Sequence, residues 1–146
     1  MVKRCLLGAA LLALPLLSMA QCSVASEFLP ALCAVKLPAI GHIQIEENGM
    51  SAANPNGEVV DCARFKLSKR QVVIYLRKAS QVRDATDALA KLDYSPCSAS
   101  GSVRFANGKT ARWQISETQT GVLVWHDDNA SISLYCPTCR YKPFRW

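Results

Sequence analysis

Histidine is scarce in this chain, with two residues in 146. The patterns that usually carry hydrolytic or nucleotide chemistry are missing as well: there is no G-x-S-x-G, no H-E-x-x-H and no glycine-rich phosphate loop. Nothing positive therefore points to an enzyme, and no metal or cofactor is expected. Acidic residues number 11 against 17 Lys and Arg. That excess is too mild and too scattered for the dense basic patch of a nucleic-acid binder. Long apolar runs are absent too. The longest, residues 6–17, is about a dozen residues, whereas a bilayer span needs about twenty. No internal repeat, low-complexity stretch or linker divides the chain, which leaves one domain.

What is present begins with an export signal. Lys3 and Arg4 form a positive start, residues 6–17 an apolar centre, and Ser18-Met19-Ala20 a small-x-small site, so cleavage is expected before Gln21. The remaining 126 residues carry all 11 acidic residues and 15 of the 17 basic ones, a net charge of +4. Six of the seven cysteines remain, an even number in a chain bound for an oxidising compartment, the periplasm or the exterior. Cys22 also invites a lipoprotein reading, since acylation targets a cysteine just after the apolar run. Gln21 before it is larger than that cleavage normally accepts.

Residues 21–41 read as an extended arm, interrupted by Pro30 and Pro38 and tied down by disulfides. From His42 the alternation of Ile43 and Ile45 predicts a strand. Asn48-Gly49 and Asn54-Pro55-Asn56-Gly57 read as turns, and Val59, Val60 and Phe65 around Cys62 as a second strand. Ser68 is an N-cap candidate for a helix over about 68–79, with Val72, Tyr75, Leu76 and Ala79 on one face. Lys69 and Arg70 oppose its dipole, so packing must hold it. The next apolar stripe, Val82, Ala85, Leu89 and Leu92, lies about 110° further round. A straight helix could not bury both, which predicts a break near Ser80 and a second helix over about 82–92.

From Ala99 the pattern changes to short alternating segments. A two-residue Asn107-Gly108 loop would place Thr110 and Arg112 on the apolar face. A three-residue loop of Ala106, Asn107 and Gly108 instead pairs Val103 with Ala111, with Gly108 left-handed in a G1 bulge. Strands over 121–125 and 131–136 follow. The expectation is an α+β domain: a four-stranded antiparallel meander over about 99–136, packed by the two short helices.

The run Asp93-Tyr94-Ser95-Pro96-Cys97, followed by Ala99, Gly101, Val103, Phe105, Asn107-Gly108, Ala111, Trp113 and Ile115, resembles a family of short exported bacterial proteins of uncharacterised function. The similarity reaches back to Cys62 and the Gln71 to Ala79 region, about half of the mature chain. It implies one architecture and transfers no catalytic residue. It also implies a bridge between Cys62 and Cys97, whose equivalents recur among the proteins it resembles.

Six cysteines allow fifteen pairings, and spacing alone does not choose among them. Cys22, Cys33, Cys136 and Cys139 could close two local loops or tie the arm to the C-terminal tail. The crossed arrangement is preferred here because a bridge across two residues is expected to be strained. Cys136-Pro137-Thr138-Cys139 would suit a thiol-disulfide oxidoreductase if it opened a helix, but Pro143 leaves little room for one. A structural cystine fits better, and zinc binding fits worse because exported thiols are oxidised. His126-Asp127-Asp128 could serve acid–base chemistry, yet it falls between two strands, where a polar turn is expected.

The tail Arg140-Tyr141-Lys142-Pro143-Phe144-Arg145-Trp146 interleaves cations with aromatics. Arg140, Tyr141, Lys142, Phe144, Arg145 and Trp146 are thus a candidate binding surface for an acidic protein or an anionic envelope component. The bland alternative packs Phe144 or Trp146 back on the sheet. The reading as a whole is an exported, disulfide-stapled binding protein, such as an inhibitor or immunity factor, with an oxidoreductase or a lipid-anchored component as alternatives.

Overall fold

The computed structural model describes residues 21–52 and 56–146. The expected export signal over residues 1–20 and the Asn54-Pro55 half of the expected turn lie outside the described residues. Among them, the chain forms strands β1 (Leu32–Cys33), β2 (Ile40–Ser51), β3 (Ser80–Val82), β4 (Cys97–Phe105), β5 (Thr110–Ser116), β6 (Thr120–Trp125) and β7 (Ser131–Tyr135). Helices α1 (Lys69–Lys78) and α2 (Ala85–Lys91) flank β3.

All seven strands join one antiparallel sheet in the order β1-β3-β7-β6-β5-β4-β2. This corrects the expectation of an α+β domain made of a four-stranded meander packed by two helices. A bare meander would leave its outer N–H and C=O rows unpaired. Here β2 pairs along the β4 edge, Ile43 opposite Val103, while Ser80 and Gln81 pair with Tyr135 and Leu134 of β7. These additions come from segments distant in sequence, which local periodicity does not report. The residue chosen for a helix break, Ser80, thus opens a strand.

Two further expectations are overturned. Asn48-Gly49 is no turn but an irregularity inside β2, where Gly49 takes φ +70° and a Cβ would fall 2.9 Å from the Cys62 carbonyl oxygen. Residues 59–65 form no strand. The chain there is held by the Asn48 side chain, whose Nδ2 donates to the Leu67 carbonyl at 3.0 Å while its Oδ1 accepts from the Leu67 N–H at 2.9 Å. A side-chain amide thus replaces ladder pairing and lets Phe65 and Leu67 enter the core.

The β4–β5 connection has the three-residue form. Phe105 N–H donates to the Lys109 carbonyl at 2.9 Å, Val103 lies opposite Ala111, and Gly108 takes φ +85°. This register aligns Val103 with Ala111 and Trp125, Gly101 with Trp113 and Leu123, and Ala99 with Ile115. One sheet face is therefore apolar. Gly101 is required on it, because a Cβ there would fall 2.0 Å from the Gln44 carbonyl oxygen and 2.7 Å from the Trp113 ring.

Helix α1 covers that face with Val72, Tyr75 and Leu76. A capping box between Ser68 and Gln71 offsets the absence of acidic residues in its first turn, and Arg77 and Lys78 suit its last. The opposite face carries Ser100, Ser102, Arg104, Arg112 and Gln114, with Val122 and Val124 among them. Helix α2 stands beside that second face and has no buried residue, so it does not pack the meander. Its stability is local: Asp84 accepts from Thr86 and Asp87 N–H groups, and Lys91 pairs with Asp87 at 2.8 Å.

Three disulfides lie among the described residues: Cys22–Cys33, Cys62–Cys97 and Cys136–Cys139. The preference for bridges from arm to tail is therefore corrected. Both end pairs are local because local backbone structure brings them together. Cys22 and Cys33 face each other in an antiparallel bridge, and a turn with a 3.0 Å bond from Cys139 N–H to the Cys136 carbonyl closes the other. Cys62–Cys97, the pair the resemblance implied, clips the loop before α1 to the start of β4.

Candidate functional site

The tail divides into an anchor and a surface. Phe144 is 1% exposed, with its ring 5.8 Å from Phe65, 5.9 Å from Tyr75 and 5.2 Å from Tyr141. Gln71 Nε2 donates to the Lys142 carbonyl at 2.8 Å, and Arg145 N–H to the Glu117 carbonyl at 2.9 Å. Tyr141 and Phe144 therefore serve packing. Arg140, Lys142, Arg145 and Trp146 stay at the surface, with the Lys142 ammonium 5.9 Å from the Trp146 ring centroid.

Two adjoining concavities meet at residues 93 and 94. The first, about 420 Å³, lies between α2 and the polar sheet face. Ala85, Ala88 and Leu89 of α2, with its C-cap Leu92, form one wall, and Val122 and Thr120 lie across from it. Its walls are predominantly apolar. The second, about 440 Å³, is lined by Asp93, Tyr94, Thr118, Arg145 and Trp146. Leu89 is 83% exposed, Tyr94 66% and Trp146 62%, so the mouth of this region presents large apolar side chains to solvent.

The electrostatics here are mixed. Burial, and then the Asp93 carboxylate, raise the Tyr135 phenol above its ordinary value, while Arg140 acts in the opposite sense. Asp93 and Arg140 thus both act on β7 beside the groove. The tail contributes the exposed cations Arg140, Lys142 and Arg145, and Asp93 lines the second concavity together with Arg145.

Other residues singled out from the sequence fall elsewhere. Cys136 and Cys139 are both fully buried as a cystine, and a turn rather than a helix joins them. Their sulfurs are enclosed, which leaves a substrate thiolate no route of attack on the cystine. Cys22 is bonded to Cys33, so its sulfur is unavailable for a thioether to lipid. The His126-Asp127-Asp128 segment is a turn: Asp128 accepts from the Ala130 N–H at 2.9 Å, and Thr110 Oγ1 lies 2.8 Å from His126 Nδ1. Among the described residues no group of three or more His, Cys, Asp and Glu side chains could hold a metal ion.

Asp93, Tyr94 and Leu89 were not legible as site residues. Leu89 and Leu92 fit a core-facing stripe, and only their failure to be buried turns them into a groove wall. The one available signal was the large exposed-type dipeptide Asp93-Tyr94 directly before Ser95-Pro96. The chain matches no protein-family model, no curated protein and no solved structure.

Proposed function

We propose that this is a non-enzymatic, periplasmic binding protein of the inhibitor or immunity-factor kind, which seats apolar side chains of a protein partner in the groove beside α2. One observation carries the reading: α2 buries none of its own residues, while Leu89 and Tyr94 stand exposed at the rim of an apolar concavity. A helix of seven residues gains little stability alone, and its apolar wall is of the kind that a partner's side chains cover. Three disulfides fit an exported protein, and no helix among the described residues is long and apolar enough to cross a membrane. The enclosed cystine at Cys136 and Cys139 supports binding over redox catalysis.

The test uses the immobilised mature chain and its Leu89→Asp variant against periplasmic extract and proteins secreted by competing bacteria. Leu89 is exposed, so this variant keeps the fold. The expected result is a protein retained by wild type and lost from Leu89→Asp. Retention of nothing, or of the same proteins by both, overturns the reading.

A further inference from the structure

The second concavity differs in chemistry from the groove beside it. Asp93, Tyr94, Thr118, Arg145 and Trp146 line it, and none of them is aliphatic. Two are aromatic platforms, one is a carboxylate, one a guanidinium and one a hydroxyl. We propose that this concavity binds a neutral saccharide. The inference shares with the functional reading above only the premise that this end of the molecule is a binding surface.

The match is one of functional groups. A sugar ring has an apolar face of C–H groups, which an aromatic ring covers through dispersion and weak C–H contacts. Its edge carries hydroxyls that both donate and accept. A carboxylate accepts from two neighbouring hydroxyls, and a guanidinium fork donates to two oxygens in one plane. The concavity supplies each of these in one place, and its volume of about 440 Å³ falls in the range of small-ligand sites. Within the lining itself Asp93 and Arg145 offset each other, which leaves no excess of one charge among these residues to demand an ionic sugar. An aliphatic chain would meet no aliphatic side chain here. It would partition to the apolar groove instead.

The main chain beside both rings is also anchored. Phe144, two residues before Trp146, is locked in the core, and the Arg145 N–H donates to the Glu117 carbonyl at 2.9 Å. Lys142 places its ammonium 5.9 Å from the Trp146 ring centroid. Tyr94 stands shortly before Cys97, whose bridge to Cys62 pins the start of β4. Preorganisation of this kind lowers the ordering cost of a weak ligand.

The experiment titrates the mature chain with two neutral probes, tri-N-acetylchitotriose and maltotriose, followed by saturation-transfer NMR and tryptophan emission. Saturable binding of at least one probe is expected. Trp146→Ala and Arg145→Ala should each weaken it about tenfold or more, corresponding to about 1.4 kcal/mol. Trp146→Phe should retain most of the affinity, because a platform remains. Thermal midpoints of all three variants should match wild type, since both side chains lie at the surface.

Absence of saturation with both probes, or binding that Trp146→Ala leaves unchanged, overturns the proposal. So does tighter binding of an anionic heparin fragment than of either neutral sugar. The Leu89→Asp variant separates this site from the groove: saccharide binding persists in it if the proposal holds, whether or not a protein partner is lost.

Discussion

Tyr75 of α1 donates its phenolic hydrogen to the main-chain carbonyl of Gln119, 3.0 Å away, in a fully buried contact between the helix and the β5–β6 turn. That carbonyl also accepts from the Cys136 N–H at 3.0 Å, and the Gln119 amide Nε2 donates to the Cys139 carbonyl at 2.8 Å. One residue, at φ +68°, thus joins the helix, the turn and the last disulfide loop. Tyr75→Phe is expected to destabilise by about 0.5–1.5 kcal/mol, since the carbonyl keeps its second donor. Urea denaturation checks this, and a loss above about 3 kcal/mol would mean the hydroxyl does more than the contact shows.

The two ends of the tail should behave oppositely. Phe144→Ala removes a ring enclosed by Phe65, Tyr75 and Tyr141 and should cost about 3–5 kcal/mol. Trp146→Ala should stay within about 0.5 kcal/mol of wild type. Equal effects on the thermal midpoint would contradict this division.

Gly101→Ala places a methyl 2.0 Å from the Gln44 carbonyl oxygen, so β2 or Trp113 must shift. A loss of about 1–3 kcal/mol or more is expected, with a changed near-ultraviolet signal from Trp113. An unperturbed stability would show that the β2–β4 approach is looser than the geometry requires.

The disulfides should rank by loop length. Replacing both Cys62 and Cys97 by alanine opens a separation of 35 residues, about 4 kcal/mol in the chain-entropy description. Replacing Cys136 and Cys139, separated by 3, removes about 2 kcal/mol. Denaturation of the two double variants gives the order, and the reverse order would point to packing rather than loop closure.

Alkaline pH should weaken the fold. Complete burial holds the Tyr75 phenol far above its ordinary value of 10.0, with smaller contributions from Tyr141 and Tyr135, and those two phenols are themselves raised chiefly by burial. Above about pH 10 the unfolded chain releases these protons while the folded chain keeps them. The stabilisation is therefore whole below about pH 10 and lost as pH rises beyond it, with Tyr75 contributing a slope of about 1.4 kcal/mol per pH unit. Melts between about pH 8 and 11 should show the decline, and Tyr75→Phe should flatten it. A wild-type midpoint constant across that range would refute the assignment.

Local physics was legible in the chain. The register of Val103 with Ala111 followed from alternation plus Gly108, because a one-residue slip would have turned Thr110 and Arg112 onto the apolar face. The helix start at Ser68 followed from its cap. The candidate site was only half legible: Arg145 and Trp146 stood out as an aromatic-cationic tail, whereas Asp93, Tyr94 and Leu89 looked like the end of an ordinary packed helix.

By itself, then, the sequence determined the hairpin register and the capped first helix, both of which depend on residues near one another. Tertiary structure alone decided that Ser80–Val82 and Ile40–Ser51 extend the sheet on both edges, that the end cysteines pair locally, and that α2 stands beside a groove instead of filling it. Those outcomes turn on which distant backbone rows find each other and which apolar side chains fail to find cover. No local pattern carries either.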